Sequence, residues 1–364
     1  MGKISKILLG MAVFLILGVT AAGMVFSIIS YKKIEDMEKS VKENMYKEWE
    51  EIDNRDDFES EDPENVLIGD EYMILSTKNI SDAYISGDES GLSDEDRTTL
   101  KVARELLDEI IEEGMSDYEK EEAVYKWMCE NIRNDETGLV AVPEAAGITD
   151  RPYGVLQNKQ AVCVGYATTF RLLLNMMEID CMVVHDEDYT HSWNLVQLDD
   201  SCWYMVDCYF DAGEGSVGYR HFNMTQTLAC YDHSWDETLY PVANGTKYSY
   251  ALSNSVEVSS VPDFLDKLKN VYEGKEISAF FKIAYSPETE YSLYYISDGI
   301  MQRIQEQNVY IEITPYMEDE ENIIVMYSYT DYDTIMPGID DTDIDYENID
   351  RQLDEIYGEI TYYE

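Results

Sequence analysis

The chain is short of positive charge: 26 lysines and arginines stand against 75 aspartates and glutamates, a formal net charge of −49 over 364 residues. Such a surface repels polyanions, which excludes nucleic-acid binding as a function class. No CxxC occurs, and the four histidines, His185, His191, His221 and His233, fall at no zinc spacing. No metal site and no cofactor are therefore expected. "DDTDIDYENIDRQ", counted from Asp341, puts Tyr346 where a calcium loop needs glycine and Gln352 where it needs a bidentate Glu, so an EF-hand is excluded as well.

A further absence is local. No charge appears from Ile7 to Tyr31, and "ILLGMAVFLILGVTAAGMVFSIIS" is apolar throughout. As a helix it would be about 37 Å long, more than the roughly 30 Å hydrocarbon core of a bilayer. Residues 1–31 are thus expected to form a single N-terminal transmembrane anchor. A cleaved signal peptide is the competing reading, with Val19-Thr20-Ala21 as a small-residue cleavage site. Either reading exports the rest of the chain and leaves the folded part extracytoplasmic at the cell membrane. Lys32, Lys33, Lys39, Lys42 and Lys47 outnumber Lys3 and Lys6 and by themselves favour the opposite orientation. Long domains are translocated largely regardless of charge, which weighs against that signal.

What is present beyond the apolar run is a graded organisation. Ile34, Met37, Val41, Met45, Trp49 and Ile52 recur at helical steps, and "NRDDFESEDPEN" reads as a spacer, so 32–92 is expected to be a helical stalk and acidic linker. At Ser93 a folded domain begins: "SDEDRTTLKVARELLDEIIEEG" carries a Ser N-cap, acids in its first turn and a closing Gly114, and "SDYEKEEAVYKWMCENI" repeats the pattern. Later the period changes to two. "CMVVHDEDYTHSWNLVQL" and "CWYMVDCYFD" flank "DDS" and predict a β-hairpin. Helices followed by strands give an α+β domain over 93–250. A smaller α+β domain is expected at 260–330, as a substrate- or wall-binding accessory, followed by an acidic tail at 331–364 with 12 acids and one Arg.

The chemistry-bearing residues converge on one pattern. Cys163 in "GVLQNKQAVCVGYATTF" stands where loop becomes helix, and a thiol in the first turn of a helix meets unpaired N–H groups that favour its thiolate form. His191 and Asp207 are 16 residues apart across the hairpin, an even separation that an odd-length loop turns onto one sheet face. A three-residue loop, Leu198-Asp199-Asp200, predicts them directly opposite. An Asp holding one imidazole nitrogen leaves the other for a thiol, an arrangement suited to attack on an amide or ester carbonyl and release of the acyl group to water or an amine. Gly165 and its small neighbours permit close approach, with Tyr166, Trp193 and Asn194 adjacent. The oxyanion is expected to face the Cys163 N–H, with Gln157, six residues upstream, as a weaker candidate. The remaining Cys129, Cys181, Cys202, Cys208 and Cys230 form an odd set from which no disulfide pairing follows.

"AVCVGYATTF", "HSWNLVQLDDSCWYMVD" and their order Cys, His, Asp resemble the transglutaminase-like superfamily of cysteine enzymes, in particular its bacterial surface members, over Tyr118 to Tyr250. "YEKEEAVYKWMCENI" upstream and "HFNMTQTLACYDHSW" downstream add to the likeness. The resemblance implies a papain/transglutaminase-like core of helices packed on an antiparallel sheet, with Cys163 as nucleophile, His191 as general base and Asp207 as the orienting acid. It implies a protein or peptide substrate, cell-wall peptide among the options, and either hydrolysis or transamidation. A catalytically silent surface module of the same fold is the alternative. The chain departs from the family at Ala161, where a glycine is usual, and at Tyr209-Phe210, where Thr-Trp is common.

Overall fold

A computed structural model describes residues 66–68, 72–135, 149–186, 190–212, 218–304, 309–317 and 321–331. The expected anchor at 1–31, the stalk up to residue 65 and nearly all of the acidic tail lie outside the described residues. Among the described residues no helix is long and apolar enough to cross a membrane.

Strands β1 (Val66–Ile68) and β2 (Tyr72–Ile74) form a short hairpin. Three helices follow: α1 (Lys78–Ser86), α2 (Asp94–Ile110) and α3 (Asp117–Asn131). The expected Ser93 N-cap is present as a full capping box with Asp96, and Ser116 and Glu119 repeat the device at α3. Each box satisfies two otherwise orphaned backbone donors, which stops both helices at a defined residue. The expected acidic linker is corrected here: between 78 and 92 the chain is folded, because Ile80, Ala83 and Leu92 are buried in the main core while the acids face outward.

Strands β3 (Arg133–Asn134) and β4 (Gln160–Ala161) pair in parallel on either side of α4 (Pro152–Asn158), and they deliver the chain to α5 (Cys163–Met176). Thirteen of the fourteen residues of α5 are buried. A helix buried on nearly every side belongs in an interior, and here it packs against α1, α3 and α4 and against a three-stranded antiparallel sheet. That sheet runs β5 (Cys181–His185), β6 (Ser192–Gln197) and β7 (Trp203–Val206). The β6–β7 register sets Asn194 against Val206 and Gln197 against Trp203, with Leu198 and Cys202 closing the turn. The turn residues are Asp199, Asp200 and Ser201, the last at φ 61°, one step later than expected. His191 and Asp207 therefore share a face but sit on a diagonal rather than directly opposite.

After β7 come the short α6 (Cys208–Ala212), α7 (Gln226–Ala229) and α8 (Tyr250–Ser253). The returning chain is fastened to β7 by paired backbone bonds between Met205 and Met224. A second sheet, ordered β10-β11-β9-β8, is built from β8 (Val256–Val258), β9 (Ser278–Ala284), β10 (Val309–Met317) and β11 (Asn322–Asp331), with α9 (Val261–Gly274) and α10 (Pro287–Ile304) alongside. One set of its residues, Phe264, Phe281, Leu293 and Val325 among them, forms its own core. Another, Phe280, Tyr316, Ile324 and Met326, packs with Trp193, Trp203 and Met205 of the first sheet. The C-terminal sheet thus shares an apolar cluster with the hairpin that bears His191 and Asp207.

Candidate active site

Cys163 is the first residue of α5. Its N-cap, Val162, is extended at φ −85°, ψ 171° and offers no side-chain oxygen, so no cap competes for the N–H groups of the first turn. The strap at Thr149 crosses that turn, with the Val162 N–H donating to the Thr149 carbonyl at 3.0 Å. A Cβ on Gly165 would lie 2.1 Å from that oxygen, so glycine is required for the strap to pass. Ala161, where the family pattern has glycine, is fully buried and lies 3.1 Å from the same Cβ position.

His191 reaches the thiol from the sheet. Its backbone N–H donates to Asp186 at 2.9 Å, which fixes the start of β6, and its ring lies against the Cys163 thiol. Its Nε2 lies 2.6 Å from Asp207 Oδ2, which leaves Nδ1 for the thiol side. Asp207 is almost fully buried at the end of β7, and its Oδ1 accepts the N–H groups of Tyr209 (2.8 Å) and Phe210 (3.2 Å) at the start of α6. The acid is therefore oriented by backbone on one oxygen and by imidazole on the other. Burial alone would lower the His191 pKa, but the charge and hydrogen bond of Asp207, with the Cys163 contact, raise it to about 10. Burial likewise works against ionising Asp207, yet the His191 and His233 contacts hold its carboxyl well below the usual range.

Aromatic rings enclose the imidazole. Phe210 stacks on His191 with centroids 4.5 Å apart, and Trp193 lies beside it at 5.7 Å. Phe210, a departure from the family pattern, thus covers the ring. Trp193 is also anchored through its indole N–H to Met205 Sδ at 3.4 Å. Two other expected neighbours serve the frame instead: Asn194 donates to the carbonyls of Ala167 (2.9 Å) and Met182 (3.2 Å), and the Tyr166 hydroxyl donates to Ile132 at 2.7 Å. Gln157 is corrected as an oxyanion candidate: its side chain is exposed and its amide donates to Tyr153 of its own helix at 2.9 Å, because helix α4 turns it outward. All six cysteines are free thiols.

His233 was missing from the sequence-derived set. Its Nε2 lies 3.1 Å from Asp207 Oδ2, the same oxygen that His191 contacts, and its Nδ1 lies 2.6 Å from Asp232. Asp232 continues to His221 Nε2 at 3.0 Å, and His221 Nδ1 meets Asp211 at 2.8 Å, to which the Tyr125 hydroxyl also donates. Among the described residues, His191, Asp207 and His233 are the one group of possible metal ligands that converges, with ligand atoms within 4.8 Å of one another. Hydrogen bonds already account for that convergence, since both rings contact one Asp207 oxygen.

Residues 104–208 match the family model of the transglutaminase-like superfamily, a span that holds Cys163, His191 and Asp207 in the order and contact just described. This segment is a transglutaminase-like domain. Such domains belong to a family of cysteine-type acyl-transfer enzymes and peptidases. The kyphoscoliosis peptidases of Homo sapiens and Mus musculus are each 25% identical over 123 residues, 30% of this chain and 18% of the relative. The chain thus covers under a fifth of the length of these curated relatives. A solved structure titled "Crystal structure of a TGase" aligns with a TM-score of 0.26 and 18% identity over 37% of this chain and 38% of that one. His221, Asp232 and His233 lie beyond the segment matched by the family model.

Proposed function

We propose that this protein is an exported, membrane-anchored cysteine enzyme that hydrolyses amide bonds in proteins or peptides through Cys163, His191 and Asp207. The observation that carries the reading is the continuous contact from the Cys163 thiol to His191 and on to Asp207 at the start of a buried helix. The uncharged run from Ile7 to Ser30 supports the anchored, extracytoplasmic placement.

In this reading the Cys163 proton passes to His191 and the sulfur attacks the substrate carbonyl carbon. The carbonyl oxygen becomes an oxyanion facing the backbone N–H of Cys163, whose helix turn has no side-chain cap. The tetrahedral adduct collapses, the C–N bond breaks, and His191 returns its proton to the departing amine. Water then attacks the thioester, with its proton taken by His191, and releases a carboxylic acid and the free thiol. Asp207 holds the ring so that one nitrogen always faces sulfur. The test is an activity-based electrophile with a peptide-like acyl group, offered to the full chain in detergent. Mass spectrometry should find the adduct on Cys163, and it should vanish in Cys163→Ala. Adducts spread evenly over the six thiols would overturn the assignment.

A further inference from the structure

Behind the candidate site, four imidazole nitrogens face carboxylate oxygens: His233 Nε2 faces Asp207 (3.1 Å), His233 Nδ1 faces Asp232 (2.6 Å), His221 Nε2 faces Asp232 (3.0 Å) and His221 Nδ1 faces Asp211 (2.8 Å). An ionised carboxylate only accepts, so each of these nitrogens must carry a proton. A neutral imidazole has one N–H. Both rings therefore satisfy their partners only as imidazolium, unless an acid holds the proton instead. Asp207 does not need one: it receives two backbone N–H groups and two rings. Asp232 receives two rings with Arg220 3.8 Å behind, and Asp211 receives the His221 backbone N–H and the Tyr125 hydroxyl besides the ring. With the Cys163–His191 pair counted by itself, the charges then close, Asp207, Asp232 and Asp211 standing against His233, His221 and Arg220. A balanced array is what an interior tolerates.

We propose that His233 is a fixed imidazolium and a positioning residue for the Cys163–His191 pair: wedged between Asp207 and Asp232, it locks the Asp207 carboxylate and draws off part of its charge. The proposal rests on the reading of Cys163, His191 and Asp207 as the reacting set. Its consequence concerns the return of the proton. An Asp that gave all its charge to His191 would hold that ring's proton against transfer to a leaving amine, and a general acid must release what it takes. The His233 ring lies 5.7 Å from the His191 ring and opposes that hold. The titratable groups facing His233 are Asp207, Asp232, His191 and His221, the last at 5.8 Å, while Trp193 and Phe210 pack against it without charge. Although burial opposes it, contact with Asp207 and Asp232 raises the pKa of His233, and contact with Asp211 and Asp232 raises that of His221 to about 10.

Two measurements on the full chain in detergent decide the matter without a substrate. In the first, the protein is labelled with ¹⁵N-histidine, and His233→Gln assigns the signal. His233 should show two protonated ring nitrogens throughout about pH 5.5 to 8.5, where an ordinary histidine titrates. A bare nitrogen on His233 in that range would overturn the proposal. In the second, the rate of Cys163 alkylation by iodoacetamide is followed against pH. His233→Gln keeps an amide donor but removes the charge, and its profile should move to higher pH by about one unit, the order expected for the loss of one nearby charge. Superposable profiles would also overturn it. If His233→Gln does not fold, the spectra of the unaltered chain still decide, with assignment from His185→Gln and from ring contacts. An ordinary-thiol profile for Cys163 in the unaltered chain would sink the catalytic reading, while the spectra would still report the charge on His233.

Discussion

His191 Nε2 meets Asp207 Oδ2 at 2.6 Å across a diagonal of the β6–β7 hairpin. The register that pairs Asn194 with Val206 puts Asp207 level with Trp193, two positions from His191 on the same face. A ring at one corner and a carboxylate at the other can span that diagonal. Trp193 fills the position in between and fixes the tilt of the imidazole. Asp207→Asn would present an amide N–H to a ring nitrogen that itself donates, and would leave His233 with one carboxylate partner in place of two. Turnover is expected to fall by about two to four orders of magnitude. The melting temperature should fall too, because the acid is shared by four donors. Steady-state kinetics and calorimetry on the same preparation check both parts.

Alkylation chemistry separates proton transfer from exposure. Cys163 is buried, whereas Cys202 and Cys230 are half-buried, so access alone would favour the latter pair. Burial raises the pKa of Cys181 and Cys208 and pushes that of Cys230 up to about 12. Cys163 instead lies against the ring of His191, and a neighbouring imidazolium favours a thiolate. At pH 6, limited iodoacetamide should therefore modify Cys163 first among the six, as read by peptide mass spectrometry. Modification in order of exposure would count against the Cys–His pair.

The parts of this site that could be read from the sequence are those carried by local pattern. The Ser93 cap, the helix that begins at Cys163 and the two-residue alternation around "HSWNLVQL" each follow from neighbours a few positions apart, and together they bring Cys163, His191 and Asp207 to one place. The turn was displaced by one step, since Ser201 takes the left-handed conformation that lets Leu198 and Cys202 close the loop. His233 was not legible, because its approach to Asp207 depends on the Met205–Met224 bridge and the long return that follows, for which no periodicity exists. Helix α1 was hidden for a different reason: only Ile80, Ser81 and Ala83 of its nine residues are buried, and the acid-rich chain on either side of it gave the stretch the composition of a linker.

Gly165 offers a steric test. Alanine there would thrust a Cβ to within 2.1 Å of the Thr149 carbonyl, and the strap across the first turn of α5 would have to move. A cost of about 1–3 kcal/mol is expected, with slower alkylation of Cys163 because the same turn carries it. Gly91→Ala, where nothing lies within 4 Å, is the control and should leave both readings unchanged.

Glu121 makes stability depend on pH independently of the site. It is fully buried in α3, hydrogen-bonded by Asn223 at 3.0 Å, and its burial pushes its pKa up to about 8. Between the unfolded value of about 4.3 and the folded one, the native state holds a proton that the unfolded chain lacks. Its contribution is complete below the unfolded value and is lost as pH rises through about 8, at up to about 1.4 kcal/mol per pH unit. Glu121→Gln keeps the shape without the proton. The difference in stability between the two chains, from urea melts at pH 5 and pH 8, should therefore shift in favour of the variant at the higher pH.

Hydrolysis rather than cross-linking is expected of the acyl-enzyme. A thioester meets water at overwhelming concentration, so transfer to an amine requires a walled approach that admits the amine and keeps water out. Phe210 covers one face of His191, but it remains 36% exposed, and Trp193 is spent in the apolar cluster shared with the C-terminal sheet. These rings support the imidazole from behind and beside, and Phe210 is itself partly open to solvent. The net charge of −49 would draw lysine-bearing acceptors toward the protein, but such attraction is screened within about 8 Å at physiological salt and changes encounter rate, not the exclusion of water. Peptide substrates should be offered with a labelled primary amine in millimolar excess, and amine incorporation compared with cleavage and deamidation. Release of free acid should dominate and should disappear in Cys163→Ala. Label in most turnovers, lost in the same variant, would make the protein a transamidase and would imply that substrate binding completes the wall that Phe210 begins.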